Sequence, residues 1–161
     1  MSARIATVVV LSLVALGCGP SPQAQVTLCS TQAAPPPDGL AQVHLGPGTV
    51  EAFVRFKEGD SAKLDYGSQG GQHIWVDVQS YTPKKTTWKY DIRLSDSKGT
   101  EVARAYAQSA TCGAGWSTLT NQRVIFDSFP TLETAMWTLK VTADDGAGTV
   151  ITESVKIYVV S

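Results

Sequence analysis

The chain has few of the residues that build metal centres, and it lacks the local motifs of common catalytic sites. Its 161 residues include three cysteines, two histidines and two methionines, and no two cysteines form a C-x-x-C pair. A zinc or copper site needs three or four converging ligands, so we predict no metal site and no cofactor. Neither G-x-S-x-G nor G-x-x-x-x-G-K occurs, so the local signals of serine hydrolases and nucleotide-binding loops are missing. We therefore predict that the protein is not an enzyme.

Charge is also sparse. Charged residues make up 17% of the chain and hydrophobic residues 43%, which is enough apolar material for a core and too little charge for a disordered chain. The formal net charge is −1 at pH 7. Because there is no basic excess, we predict no nucleic-acid partner.

Long hydrophobic runs are absent apart from one near the start of the chain. Behind Arg4, the segment Ile5–Leu16 is an uncharged apolar run of 12 residues. That length fits the core of a signal peptide and is too short to span a bilayer as a helix. We predict that residues 1–17 are a cleaved leader.

The tetrapeptide that ends this leader, Ala15-Leu16-Gly17-Cys18, resembles the lipobox of bacterial lipoproteins, although that family prefers leucine where this chain has Ala15. The resemblance implies cleavage after Gly17, diacylglycerol on the Cys18 sulfur, and a fatty acid such as palmitate on the new amino group. Several acyl chains on one residue give stable membrane anchoring. The alternative is an ordinary secretory leader followed by a chance cysteine.

The resemblance also implies a location. A lipidated Cys18 would hold the protein on the exported face of the cell membrane or the outer membrane, facing the periplasm or the cell surface. Because Gly19 follows the cysteine instead of aspartate, similarity to sorted lipoproteins implies the outer membrane if the cell has two membranes.

Residues 18–38 have the composition of a linker. No charged residue occurs from Gly19 to Pro37, and the segment contains five prolines separated by small and polar residues. Such a composition cannot build a core. We predict a flexible, disordered, proline-rich tether that lifts residues 39–161, a single domain, away from the membrane.

From about Leu40 onward, apolar residues alternate with polar ones. Alternation with period two, in runs rich in β-branched and aromatic residues, predicts half-buried β-strands. Five runs show it: Val50–Phe56, Ile74–Val78, Trp88–Leu94, Trp137–Ala143 and Val155–Val159. Glycine-rich turn signals separate the runs: Gly67–Gly71, Asp96–Gly99, Thr111–Gly115 and Asp144–Gly148.

The pattern predicts an all-β domain of about seven to nine short strands, and it favours an antiparallel β-sandwich over a closed barrel. The hairpin Trp137–Val160 resembles the last two strands of bacterial Ig-like domains. The segment Gly67–Val76 is similar to one in uncharacterised small bacterial lipoproteins that carry such domains. These resemblances imply an Ig-like β-sandwich and carry no established activity.

The remaining cysteines suggest one disulfide. If Cys18 is lipidated, Cys29 and Cys112 are left in an exported chain, where an oxidising compartment favours pairing. A bridge between them closes a loop of about 84 residues and contributes on the order of 4 kcal/mol on the chain-entropy model. Two free thiols or an intermolecular link are the alternatives.

Four residues form a predicted contact surface. If the aliphatic residues of Ile74–Val78 point inward, then Trp75 points outward beside His73 and Asp77, and an outward tryptophan marks a surface for sugar or protein. With the opposite strand phase, Trp75 is a core tryptophan of the Ig type. Trp116, flanked by glycine in a predicted loop, is the fourth candidate.

These observations support three hypotheses. The first is a membrane-anchored, non-catalytic Ig-like module that contacts protein or glycan at the cell envelope. The second is a structural or assembly subunit of an envelope complex, whose exposed strand edge or aromatic face is buried. The third is a small hydrolytic or metal-handling protein, in which His44 and His73 would converge with carboxylates.

Overall fold

Four of the five alternating segments form β-strands in the computed structural model. The structure describes residues 26–30, 34–48, 52–67, 70–128 and 130–161, together with the backbone of Val9–Val10. Within those residues every regular element is a strand, which confirms the prediction of an all-β protein. The strands are β1 (Val9–Val10), β2 (Thr27–Ser30), β3 (Gln42–Pro47), β4 (Ser61–Tyr66), β5 (Gln72–Thr82), β6 (Lys89–Ser95), β7 (Glu101–Gln108), β8 (Gly115–Phe126), β9 (Trp137–Asp144) and β10 (Val150–Val160).

Seven of these strands close into a barrel. Hydrogen bonding runs from β8 through β7, β6, β9, β10, β4 and β5 and returns to β8. All neighbours in the ring are antiparallel except β10 and β4, which are parallel. Outside the ring, β3 pairs with the second half of β5, β2 pairs with the first half of β8, and β1 pairs with β2.

The predicted antiparallel Ig-like β-sandwich is not confirmed, because the sheet is mixed and closed, and the barrel is not Ig-like. A sandwich packs two sheets face to face, and each sheet keeps its own edges. Here β7 pairs with β8 through Ala103 and Arg104, and β4 pairs with β5 through Leu64–Tyr66. Those short pairings join the edges of two layers into one ring. Both architectures bury alternate residues of each strand, so the sequence pattern does not distinguish them.

The core consists of inward-facing residues of the strands, many of them from the predicted runs. Trp88 and Trp137, which the sequence assigns to the core, are almost completely buried. Each large apolar side chain that is fully buried contributes about 1.5–3 kcal/mol relative to exposure. Around the two tryptophans lie the largest aliphatic members of the core: Leu45, Ile74, Ile92, Leu94, Leu119, Leu139 and Ile157.

The predicted strand Val50–Phe56 is wrong over the residues that the structure describes, since residues 52–57 form no strand. Phe56 is buried and its N–H donates to the carbonyl of Leu45 at 2.8 Å, whereas Val54 is exposed. The segment crosses close over β3, where a side chain at Gly46 would collide with the carbonyl of Val54. A crossing segment can place one aromatic side chain in the core without joining the ladder.

Part of the predicted tether lies on the barrel. Cys18 and the predicted leader cleavage site fall outside the described residues. Thr27–Ser30 is strand β2, however, and Pro36 is buried. The structure therefore differs from the prediction of a disordered tether over these residues, because pairing with β8 and a covalent link hold them in place.

Candidate functional site

Two of the predicted contact residues, His73 and Trp75, lie on the outward face of β5. Trp75 is half-buried and its indole Nε1–H donates to Asp65 Oδ2 at 2.8 Å. Its ring meets His73 edge-on, with centroids 4.8 Å apart, and the Arg123 guanidinium lies 5.8 Å from the Trp75 ring centroid. The Trp75 indole is therefore held between Asp65, Arg123 and His73, and its N–H already has an acceptor.

His73 is the buried member of this cluster. The residue is 7% exposed, and its Nε2 has no hydrogen-bond partner among the described residues. Burial lowers the pKa of His73, the Arg123 charge lowers it further, and Asp65 acts in the opposite direction. The imidazole is consequently neutral at neutral pH.

Asp77 is not on the surface, although the sequence predicted it there. The residue is fully buried, and its carboxylate accepts the backbone N–H of Asn121 at 2.7 Å. Asn121 has φ of 56° at a bulge where β8 carries one extra residue opposite β5. Asp77 therefore stabilises the bulge, which is why a carboxylate is found at a fully buried position.

Trp116 belongs to a second cluster, at the other end of the same face. Its ring stacks on His44 with centroids 5.6 Å apart and lies 5.3 Å from the ring of Tyr81. Its indole N–H donates to the carbonyl of Ala34 at 2.9 Å. Trp75 and Tyr81 are six residue steps apart on β5, a span of about 20 Å at 3.3 Å per residue. The two tryptophans therefore do not form one patch.

The segment over Trp116 is held by the two cysteines that the sequence pairs. The structure joins Cys29 of β2 to Cys112, which precedes β8, with their Cα atoms 5.6 Å apart. Beside the bridge, the hydroxyl of Thr27 accepts the N–H of Ala110 at 2.9 Å. The bridge fixes residues ahead of the barrel to the segment that leads into β8.

A groove that sequence reasoning missed runs beside His44. The His44 Nδ1 lies 2.7 Å from Glu153 Oε2, and the Arg55 guanidinium contacts Glu153 Oε1 at 3.0 Å. The Glu153 side chain is 13% exposed and that of Arg55 56%. Two adjoining cavities, of about 480 and 660 Å³, share Arg55 and Glu153. We call them together the β10 groove: one wall is residues 150–156, and the other consists of residues 41–44 and 55–58.

Within the described chain, the first part of the wall formed by β10 is an open strand edge. Tyr158 N–H donates to the carbonyl of Asp60 at 2.8 Å, and the Lys156 carbonyl accepts from Gly59 at 2.9 Å. Alternate residues of a strand direct their backbone N–H and C=O groups to the same side. The backbone groups of the other even-numbered residues of β10 therefore also point away from β9. Pairing with β4 begins only at Tyr158, and the earlier residues with no strand opposite them in the described chain are Val150, Thr152 and Ser154.

A row of cationic side chains crosses the outward face of the neighbouring strands and ends beside this edge. Ser154 is opposite Lys140 on β9, Lys140 is opposite Arg93 on β6, and Arg93 is opposite Arg104 on β7. Burial would raise the pKa of Asp91, but hydrogen bonds from Arg104 and Arg93 hold it below its usual value. Asp91 thus neutralises part of the arginine charge.

Lys140 has no acidic partner within the described chain. The same is true of Lys156, two residues beyond Ser154 on β10, and both lysines are exposed. The outward side of the β10 edge therefore carries two cations that are free to pair with an external anion.

The described residues contain no group of three or more His, Cys, Asp or Glu side chains that could hold a metal ion. Within the same residues, no helix is long and apolar enough to cross a membrane. His44 and His73 do not converge, since each belongs to a different cluster on the outer face.

A sequence signal for the groove does exist. Glu153 lies on the inward-facing side of β10, as do the buried Ile157 and Val159. A charged residue at such a position indicates either an ion pair or a strand edge that is protected from unwanted pairing. His44 is 109 residues away in the chain, so its pairing with Glu153 could not be read locally. No family model, no curated protein and no solved structure matches the chain.

Proposed function

We propose that this protein is an envelope lipoprotein, anchored through Cys18, whose barrel is a non-catalytic module that contacts a partner protein. The resemblance of residues 15–18 to a lipobox supports the anchor. The open edge of β10 beside its groove is the observation that carries the contact, because unpaired strand edges accept a strand from another chain. The location follows from the anchor: the exported face of the cell membrane or outer membrane.

Protein contact has more support than glycan contact. A sugar-binding tryptophan offers an open ring face and a free N–H, whereas Trp75 is half-buried and its N–H is bound to Asp65. Trp116 is likewise half-buried, with its N–H bound to Ala34. The β10 edge instead offers a row of backbone donors and acceptors, which a polypeptide matches.

Site-specific crosslinking in intact cells tests the proposed contact. A photo-reactive residue replaces Thr152 at the open edge or, as a control, Lys98 in the turn between β6 and β7. We expect a discrete crosslinked protein from position 152 and none from position 98, with Trp75→Ala leaving the product unchanged. Equal products from both positions, or a product lost with Trp75→Ala, would place the contact elsewhere.

The anchor has its own test. Intact-mass measurement of the exported protein should find a chain that begins at Cys18 and carries acyl mass, and Cys18→Ala should block the processing. An unmodified Cys18 in the mature protein would contradict the anchor and leave the partner contact standing.

The same open edge favours a second candidate, a structural subunit whose edge is permanently buried in an envelope complex. Native size measurement after gentle extraction distinguishes the two. A binding module is recovered partly free, and its complex dissociates on dilution. A subunit is recovered entirely in a complex of fixed stoichiometry.

A further inference from the structure

The β10 groove places three constraints on a partner segment, beginning with its backbone. Val150, Thr152 and Ser154 direct their N–H and C=O groups into the groove, and these residues span about 13 Å of extended chain. A matching segment of about five residues in β conformation would satisfy them by strand addition. A helix or a sugar would leave most of these groups without a partner.

The outward side chains set the second constraint. A residue of the added strand opposite Ser154 has its Cβ about 5 Å from that of Ser154. Lys156 follows on the same strand, and Lys140 faces Ser154 from β9. Both lysines lack an acidic partner in the described chain, so a carboxylate at this outward position lies within reach of two flexible ammonium groups.

The inward side chains set the third constraint. Ile151 and Val155 are partly buried against the core, and Glu153 lies between them. Glu153 is held by His44 and Arg55, and a second carboxylate directly opposite it would be repelled. Inward positions of the segment therefore suit apolar residues.

We infer that the partner contributes an extended segment of alternating polarity that pairs with β10 at Val150–Ser154, with apolar side chains inward and an acidic side chain outward beside Lys140 and Lys156. This inference rests on the proposed function and specifies the chemistry of its partner. The side chains of Lys140 and Lys156 are both exposed, so their replacement by glutamine is expected to leave the fold intact.

Synthetic peptides test the segment directly. The probe is a labelled nine-residue peptide of alternating threonine and valine, blocked at both ends, with one central threonine replaced by glutamate. Its matched controls carry glutamine or lysine at that position, or carry the glutamate in place of a central valine. Binding to the full-length protein in detergent is measured by fluorescence anisotropy at low and high salt.

We expect the outward glutamate peptide to bind about fivefold more tightly than the glutamine peptide and the lysine peptide to bind most weakly, as suits exposed ion pairs. Added salt should shrink the difference. Replacing both Lys140 and Lys156 with glutamine should abolish the preference without changing the affinity of the glutamine peptide, whereas Lys98→Gln should change neither.

N-methylation of every second residue of the probe removes the backbone donors from one of its edges. There are two such sets of alternate residues, and in one of these two phases the methylation should weaken binding at least tenfold. Unchanged binding in both phases would overturn strand addition, as would equal affinity for the outward and inward glutamate peptides. Crosslinking from position 152 that persists despite such a result would show that the partner contact is real and the inferred segment wrong. Absence of a crosslinked product from position 152 would by itself reject the proposed contact.

Discussion

The two halves of β10 differ in what lies on the side away from β9. From Tyr158 to Val160 the strand pairs with β4 and closes the barrel, whereas from Val150 to Ser154 that side has no strand among the described residues. Burial of the inward-facing side chains changes along the strand in the same direction: Ile151 and Glu153 are half-buried, whereas Ile157 and Val159 are buried. One strand thus serves as both a structural element and an available edge. Its alternation alone does not reveal where one role gives way to the other.

The largest difference between the halves should come from side-chain truncation. Ile157→Ala removes a fully buried side chain, so we expect the free energy of unfolding to fall by about 3 kcal/mol, including the cavity left behind. Ile151→Ala removes a partly buried one and should cost about 1 kcal/mol. Urea denaturation of both variants measures the contrast, and equal losses would mean that the first half is packed as tightly as the second.

Proline substitution should separate the halves through the backbone. Tyr158→Pro removes the N–H that donates to Asp60 and should cost about 3 kcal/mol, because a hydrogen bond at the point of barrel closure is lost and the proline ring is forced into a paired strand. Thr152→Pro removes an N–H that faces the groove and should cost less than about 1 kcal/mol, as edge positions tolerate proline. Tyr158→Ala is the control for the tyrosine side chain. Thermal and urea unfolding that ranked the two prolines equally would contradict the open edge.

Charge at the boundary between the halves should have a smaller effect. Glu153→Gln keeps the side-chain shape but removes the charge that His44 and Arg55 contact. We expect a loss of about 1 kcal/mol, limited because the Arg55 side chain is more than half exposed. Glu58→Gln, in the same groove, is the matched control. Denaturation in 1 M salt should reduce the Glu153→Gln effect, and a loss independent of salt would point to packing instead.

The smallest expected effect is a pH dependence that acts on the whole barrel. The pKa of His73 is lower in the folded state than its ordinary value of 6.5, so the unfolded chain binds the proton more strongly. Stability should be fully present above pH 6.5 and decrease as the pH falls below it. His73→Asn should reduce this slope between pH 8 and 5.5. The difference between the two proline variants should stay constant over that range, and a change would tie His73 to one half of β10.

The local sequence pattern was sufficient to predict the strands in which apolar and polar residues alternate strongly. The runs around Ile74, Trp88, Trp137 and Ile157 each form a strand in the phase that the sequence predicts. Such runs carry their own signal because each buried side chain is large and every second residue is polar.

The missed strands carry weaker signals for identifiable reasons. β7 presents alanine at 103, 105 and 107, too small to mark a buried face, and β4 buries only Ala62 and Leu64. In β8 the bulge at Asn121 moves the inward phase from odd to even positions, so no single alternation fits the strand. Barrel closure and the His44–Glu153 contact depend on pairings between distant segments, which no local window contains.

The disulfide between Cys29 and Cys112 determines how the barrel would bear tension. A pull on the chain ahead of Cys29 would otherwise peel β2 from β8 one hydrogen-bonded pair at a time, which requires little force. The covalent bond limits that separation to Thr27 and Leu28, the two residues of β2 ahead of Cys29, and delivers the remaining load to the residue beside β8. If the chain is tethered at Cys18 as proposed, the eleven residue steps to Cys29 act as a leash of at most about 40 Å. That length sets how far from the membrane the open edge of β10 could search for its partner.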